Sequence, residues 1–258
     1  MGILNITPDS FYDGGKYKDE STILNQVEIM LKEGATFIDI GGYSSRPGAD
    51  DVSESEELNR VIPVIELLVK HYSKILISVD TFRSEIAKNS IEAGASMVND
   101  ISAGKLDANM LSIIGKLGVP YIMMHMKGNP KTMQQHTQYN NLLKEVISYF
   151  SERIVASHKE KINDIIIDPG FGFAKTLKQN YELLNNQELL KILDKPILAG
   201  VSRKSMIYKT LNTTSNNALN GTTALHMVAL EKGASILRVH DVKEAMECIT
   251  LYNQLKAN

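Results

Sequence analysis

Short apolar runs alternate with longer segments of mixed polarity along the whole chain. The runs are rich in β-branched side chains, which is typical of strands that are buried on both faces of a parallel sheet. They lie at 3–6, 36–40, 75–79, 96–98 with 101, 119–124, 164–167, 196–201 and 235–239. The pattern therefore predicts eight strands.

The segments between these runs have the period of amphipathic helices, and several of their ends can be identified. Ser53 with Glu56, and Asp241 with Glu244, have the spacing of a capping box at a helix start. Three further helices are expected to stop where a glycine precedes alanine and a hydroxyl residue, because glycine readily takes the left-handed conformation. These glycines are Gly34, Gly94 and Gly233.

Eight strands alternating with helices in 258 residues predict an α/β fold, namely a (β/α)8 barrel. A doubly wound open sheet is the alternative. No linker rich in proline, glycine or serine divides the chain, so the prediction is one domain over residues 1–258.

In a barrel of this kind, chemistry lies where the strands end and the following loops begin. Polar side chains gather at the carboxyl end of every predicted strand. Any one of them is more often a helix cap or a turn residue, but eight such loops on one rim indicate a binding site. The polar residues include Asn5, Ser44 to Arg46, Asp80, Asn99, His125, Asp168, Lys204, Arg238 and His240.

Charge and motif content narrow the class of ligand. A net charge of −2 gives no general basic surface, so small molecules are favoured over nucleic acid. Residues 170–175 lack the third glycine of a dinucleotide motif, and residues 200–204 lack the closing glycine of a nucleophile elbow. The six histidines form no zinc motif, although a hard cation with few protein ligands stays possible.

Composition also bears on location. The single cysteine, Cys248, fits a reducing cytoplasm, because one thiol can form no internal disulfide. No apolar run approaches the roughly 20 residues of a membrane span. We therefore expect a cytoplasmic protein that does not enter a membrane.

A set of ordered motifs spans nearly the whole chain. They are GILNITPDSF at 2–11, SSRPG at 44–48, SVDT at 78–81, NDI at 99–101, MHMKGNPKTM at 124–133, DPGFGF at 168–173, SRKSM at 202–206 and RVHD at 238–241. In sequence and spacing this set resembles the dihydropteroate synthase family.

The resemblance implies a fold and an activity. Members of that family are (β/α)8 barrels, usually dimeric, that join 6-hydroxymethyl-7,8-dihydropterin diphosphate to 4-aminobenzoate in folate synthesis. They use Mg2+, release diphosphate and are the target of sulfonamides, which mimic the aminobenzoate. Loss of diphosphate first, followed by attack of the arylamine, would explain why the loops offer cations but no nucleophile and base pair.

The resemblance also assigns roles to individual residues. It implies that Asp168 pairs with the guanidine-like edge of the pterin ring, as carboxylates pair with arginine. The other pterin contacts that it implies are Asp80, Asn99, Met124, Gly172, Phe173, Lys204 and Ser205.

The remaining roles concern the diphosphate, the metal and the second substrate. Lys204, Arg46, Arg238 and His240 form the implied catalytic set, of which Arg46, Arg238 and His240 would bind the diphosphate. Asn5 would ligate Mg2+. Phe11, Ser44, Ser45 and Pro47, in the first two loops, would form the aminobenzoate pocket.

The chain departs from the common family pattern at three places. Tyr43 and Ser45 stand where glutamate and threonine are common, and Ala174 stands where glycine is usual. Because Ser45 keeps the hydroxyl, we expect activity to survive, with altered contacts in the aminobenzoate and drug pocket.

Two other functions stay open. A corrinoid-linked methyltransferase of the pterin-binding type would have no reason to retain Arg46 and His240. A non-catalytic pterin-binding protein would be expected to have lost Asn5 or Lys204, yet both are present.

Overall fold

The structure is a computed structural model that describes residues 1–6, 16–43 and 52–257, with residues 16–19 described by their backbone alone. Within these residues eight strands form one sheet in the order of the sequence, and every neighbouring pair is parallel. The strands are β1 Gly2–Asn5, β2 Ile38–Gly41, β3 Ile77–Asp80, β4 Met97–Asp100, β5 Tyr121–Met124, β6 Ile165–Asp168, β7 Ile197–Ala199 and β8 Ala234–Leu237. All eight predicted strands are confirmed, with ends that shift by at most two residues.

Helices separate the strands throughout. The α-helices are α1 Lys16–Lys32, α2 Glu54–His71, α3 Ser84–Glu92, α4 Met110–Leu117, α5 Leu142–Lys159, α6 Leu177–Asn185, α7 Ser205–Thr210, α8 Leu219–Glu231 and α9 Val242–Lys256. Short 3-10 helices occupy Met133–Gln135 and Gln187–Leu193. The alternation of strand and helix confirms the α/β class.

Backbone hydrogen bonds also join the segment after β8 to the first strand. Ile3 N donates to Val239 O over 2.9 Å, and Val239 N donates to Met1 O over 2.9 Å. Gly2 and Val239 form a parallel bridge. The backbone at Val239 thus lies beside β1.

The two faces of the sheet carry different side chains, because successive residues of a strand point to opposite sides. One face, with residues such as Leu4, Ile40 and Val79, packs against the helices in the main core. The other face, which we call the inner face, carries a separate apolar cluster. That cluster contains Met97, Ile122 and Leu198, with Met1, Phe37, Ile166 and Ile236 packed against it.

Polar residues occupy the inner face one step further along the strands. Asn99 comes two residues after Met97, Asp168 two after Ile166, and Arg238 two after Ile236. Each polar residue therefore points to the same side as its apolar predecessor. An apolar layer thus lies beneath a polar layer near the carboxyl ends of the strands.

The predicted helix ends are confirmed in part. The Ser53 hydroxyl accepts from Glu56 N over 3.2 Å, so the Ser53 half of the predicted capping box is confirmed, while the Glu56 carboxylate pairs with Arg60. The capping box predicted at Asp241 is wrong, because no side-chain cap bond forms there. The Asp241 carboxylate instead pairs with Arg203, whose Nε and Nη2 donate over 2.8 and 2.7 Å.

The three predicted glycine stops have the expected backbone geometry. Gly34, Gly94 and Gly233 have φ angles of 102°, 112° and 92°. Residues that carry a side chain rarely adopt positive φ angles, so glycine is the favoured residue at each helix stop. Among the helices that the structure describes, none is long and apolar enough to cross a membrane.

Candidate active site

One arginine connects several strands on the inner face. Arg238, the residue after β8, donates from Nε to Asp39 Oδ2 over 2.6 Å and from Nη2 to Asp80 Oδ2 over 2.7 Å. Asn99 Nδ2 donates to the same Asp39 oxygen over 3.2 Å. The network therefore joins β2, β3 and β4 to the end of β8.

Asp39 is the centre of this network and is fully buried, whereas the side chains of Arg238 and Asp80 are each 19% exposed. Burial raises the pKa of Asp80 to about 7; Arg238 opposes this rise and Asp39 adds to it. Burial lowers the pKa of Arg238, but Asp39 and Asp80 raise it by more, so the guanidinium stays charged. Removal of one partner from a buried ion pair destabilises the fold, because the other partner is left as an unpaired buried charge.

Two further charged groups lie near each other between β6 and α7. Asp168, the last residue of β6, is 5% exposed, and its Oδ1 accepts from Gly170 N over 2.7 Å. Lys204, which immediately precedes α7, donates from Nζ to Phe171 O. A Cβ added to Gly200, the residue after β7, would lie 3.8 Å from Lys204 Nζ and 3.9 Å from Asp168 Oδ2, so both groups lie close to this glycine.

Burial shifts the protonation of both groups towards neutrality. It raises the pKa of Asp168, while the nearby Lys204 lowers it. It lowers the pKa of Lys204 to about 8, while Asp168 raises it. Each side chain thus favours the charged form of the other.

A group of apolar side chains, which we call the apolar wall, lies beside Asp168 and Lys204. Met124, at the end of β5, packs in a small buried cluster with Phe82 and Phe173 at its edge. The Lys204 ammonium lies 5.0 Å from the centre of the Phe173 ring. A Cβ added to Gly172 would lie 3.5 Å from Lys204 Cδ, so the loop backbone also lies against the lysine stem. Apolar side chains beside hydrogen-bonding groups suit a flat heterocycle.

Asn5 lies at the opposite side of the network, at the end of β1. A Cβ added to Gly41 would lie 3.8 Å from Asn5 Oδ1 and 3.7 Å from Asp80 Oδ2. The amide of Asn5 therefore lies near the carboxylate of Asp80. No group of three His, Cys, Asp or Glu side chains could hold a metal within the part of the chain that the structure describes. The amide oxygen can contribute one hard ligand, and other ligands would have to come from water or substrate.

The loops after β7 and β8 are tied to each other. Ser202 Oγ lies 3.1 Å from His240 Nδ1 and accepts from His240 N over 3.2 Å. Arg203, by pairing with Asp241, holds the backbone from which Lys204 projects. Ser205 is the first residue of α7. His240 is exposed, whereas Lys204 and Ser205 are partly buried.

Five of the predicted site residues lie outside the described residues. They are Phe11, Ser44, Ser45, Arg46 and Pro47. At the border of the second loop, the Tyr43 ring packs edge-on against Phe82 at 5.1 Å, and the Arg83 guanidinium lies over both rings. Ala174, where the family usually has glycine, has a φ of 49°, which gives a physical reason for the usual glycine.

Sequence reasoning missed two buried charged residues next to this site. Asp39 could have been noticed, because it is the single acid inside the apolar run 36–40. Lys175 follows the DPGFGF motif and looks like a solvated loop lysine, yet its exposure is only 3%. The buried positions of both residues depend on contacts between distant strands and loops.

Comparison with known proteins places this chain in a class. Residues 1–240 match the family described as pterin binding enzyme. The dihydropteroate synthase of Escherichia coli (strain K12) is 43% identical over 251 residues, which cover 96% of this chain and 88% of that protein.

Solved structures give the same result. The Yersinia pestis dihydropteroate synthase in complex with a sulfonamide drug has a TM-score of 0.93 and 41% identity, covering 100% of this chain and 94% of that one. The Xanthomonas albilineans enzyme in complex with 7,8-dihydropteroate has a TM-score of 0.89 and 36% identity, covering 100% and 93%. The chain belongs to the dihydropteroate synthase family, as its motifs predict.

Proposed function

We propose that this chain condenses 6-hydroxymethyl-7,8-dihydropterin diphosphate with 4-aminobenzoate and releases 7,8-dihydropteroate and diphosphate in folate biosynthesis. The proposal rests on one observation above all. Asp168 and Lys204 lie together beside an apolar wall, in a chain 43% identical to a dihydropteroate synthase over almost its whole length.

The pterin ring would lie against Met124 and Phe173, with its edges towards the carboxylates. Asp168 Oδ1 is engaged by Gly170 N, so Oδ2 is the oxygen available for the N–H groups of the ring. A charged acceptor is well suited to a guanidine-like edge. Asp80 and Asn99 would bind the other edges, while Gly172 and Ser205 border the pocket near Lys204.

The departing diphosphate requires positive charge. We assign this role to Lys204, Arg238, His240 and Arg46, of which Arg46 lies outside the described residues. Two carboxylates fix the Arg238 guanidinium, so it enters the site in one orientation. Diphosphate would leave first, and the electron-rich pterin would carry the positive charge until the arylamine attacks.

Asn5 would hold Mg2+ through its amide oxygen. One neutral protein ligand is sufficient, because Mg2+ usually keeps several waters and binds through substrate phosphates. When bound, the ion supplies positive charge to the leaving diphosphate. Aminobenzoate would bind between the first two loops, at Phe11, Ser44, Ser45 and Pro47.

The proposal also includes a closed fold, an oligomeric state and a cellular compartment. We infer a closed (β/α)8 barrel that forms one domain over 1–258, with the active site at the carboxyl ends of the strands; the bridge between Gly2 and Val239 supports closure. The exposed apolar side chains of Leu251 and Leu255 on α9 support a homodimer. The expected compartment is the cytoplasm, and the partners are small molecules rather than nucleic acid or membranes.

Mass spectrometry of the reaction products tests this function against its rivals. Purified chain with pterin diphosphate, 4-aminobenzoate and Mg2+ should form dihydropteroate, and it should not transfer a methyl group from a methylated tetrahydropterin to a corrinoid. Methyl transfer without dihydropteroate would establish the methyltransferase alternative. Pterin binding without either product would establish a binding protein.

A further inference from the structure

Lys175 is a charged residue buried behind the loop that follows β6. Its exposure is 3%, and no step of the proposed reaction uses it. Its Nζ lies 3.0 Å from His125 Nδ1, 2.9 Å from Gly170 O and 3.0 Å from Phe173 O. The ammonium therefore joins the residue after β5 to two carbonyls of the loop after β6.

The three contacts of Lys175 suit its charged form. An ammonium has three N–H donors, and three acceptors surround it here. A neutral amine has only two donors and could keep all three contacts only if His125 carried its proton on Nδ1 and donated to the amine. Burial holds the pKa of His125 well below its ordinary value, so His125 is neutral and Nδ1 can accept. The observed contacts thus match the protonated lysine.

The loop that Lys175 holds also carries the main pterin group. It begins at Asp168, and the carbonyl of Phe171 is bound by Lys204 from the side of the candidate site. Lys175 binds the flanking carbonyls of Gly170 and Phe173. The backbones also pack closely, since a Cβ on Gly170 would lie 2.2 Å from His125 O. The loop has little freedom while both lysines are in place.

We propose that Lys175 is a positioning residue whose protonated side chain holds the loop 168–173 in the conformation that binds the pterin. It acts through Asp168 and the loop backbone and does not itself touch substrate. The inference rests on the proposed function only in naming the pterin as the ligand. Its consequence is that the contribution of Lys175 to pterin affinity depends on pH.

The charges around Lys175 set the pH range. Burial lowers the pKa of Lys175 to about 7, Asp168 raises it, and Lys204 and Lys127 lower it further. The titratable groups that face it are Asp168 at the end of β6, His125, Lys127 and Tyr139 after β5, and Lys204 before α7. The lysine is charged below about pH 7 and loses its proton above it. The positioning effect is therefore present at pH 6 and lost by pH 8.5.

Replacement of the side chain tests the proposal. Lys175→Met keeps the length and removes the donors, and Lys178→Met is the matched control, because Lys178 is exposed on α6. Calorimetry with pterin diphosphate and Mg2+ should show Kd raised about tenfold or more by Lys175→Met at pH 6, since bonds from a charged donor are lost. The ratio of mutant to wild-type Kd should shrink towards one at pH 8.5, and KM for aminobenzoate and kcat should change little.

Several results would overturn the proposal. They are a Kd ratio that is equal at pH 6 and pH 8.5, an effect as large for Lys178→Met, and a loss of kcat without any change in pterin Kd. These results are distinct from failure of the proposed function, in which the wild-type chain itself neither binds pterin diphosphate nor forms dihydropteroate.

A second measurement needs no variant and covers the case in which Lys175→Met does not fold. Hydrogen exchange of peptides that cover 168–175 is followed in the wild-type chain at pH 6 and pH 8.5 and corrected for the intrinsic chemical rate. The corrected protection should fall at pH 8.5, because the neutral amine makes weaker hydrogen bonds to the carbonyls of Gly170 and Phe173 than the ammonium does. Equal protection at the two pH values would contradict a protonation-dependent role for Lys175.

Discussion

The replacement of Asp168 by asparagine probes the pterin site most specifically. Asp168 Oδ1 accepts from Gly170 N over 2.7 Å, and the asparagine oxygen can keep that bond. The amide NH2 then takes the place of Oδ2, which lies near the Lys204 ammonium. A donor would face both a cation and the N–H groups of the pterin, where the wild type has a charged acceptor.

The cost follows from these lost contacts. A hydrogen bond to a charged group contributes about 1.5 to 3 kcal/mol, and an unsatisfied buried donor costs about 1 to 3 kcal/mol. The two contributions sum to about 2.5 to 6 kcal/mol, so the Kd for the pterin diphosphate should rise by at least roughly 60-fold. The affinity for 4-aminobenzoate alone should hardly change.

Calorimetry at pH 7 measures this effect directly. Asp164→Asn is the matched control, because Asp164 lies just before β6 at the opposite strand end and is exposed. It should leave the Kd unchanged. A folded Asp168→Asn protein whose pterin Kd stays within about threefold of wild type would refute the role of Asp168, since less than about 1 kcal/mol would then be lost.

Three further predictions concern the network around this group. Asp39→Ala leaves Arg238 with one carboxylate partner and should lower the free energy of unfolding in urea by about 3 to 5 kcal/mol. The control Asp164→Ala should not lower it. Equal unfolding curves for wild type and Asp39→Ala would contradict the network. Because burial lowers the pKa of Lys204 to about 8, kcat/KM for pterin diphosphate should fall as pH rises above 8. Lys204→Arg should make that fall smaller and leave the part that deprotonation of Lys175 causes; a rate that keeps rising through pH 9 would be incompatible with a charged Lys204. Asn5→Ala should raise the Mg2+ concentration that gives half-maximal rate without changing the stability of the fold; an unchanged Mg2+ titration would exclude Asn5 as a ligand.

Much of the fold is predictable from local pattern. The eight apolar runs predict eight strands because a parallel sheet buries both faces, and glycine at 34, 94 and 233 predicts the helix stops because φ must be positive there. The residues at strand ends are equally predictable in position, since parallel strands bring their carboxyl ends to one edge. This reasoning correctly places Asp80, Asn99 and Asp168 near the carboxyl ends of β3, β4 and β6.

The partners of these residues are not predictable in the same way. The bond between Arg238 and Asp39 joins residues 199 positions apart, and no local spacing signals it. Asp241 has the sequence signature of a helix cap but pairs with Arg203 from the preceding loop, because a bidentate ion pair is available there. Lys175 looks exposed by its type, yet it is buried because two loops pack around it.

The joint time course of dihydropteroate and diphosphate is the most direct test of the central claim. With wild-type chain, pterin diphosphate, 4-aminobenzoate and Mg2+, the two products should appear in equal amounts, and dihydropteroate should not form when aminobenzoate is left out. If the chain binds pterin diphosphate tightly while neither product accumulates, the condensation that we assign to this site does not occur.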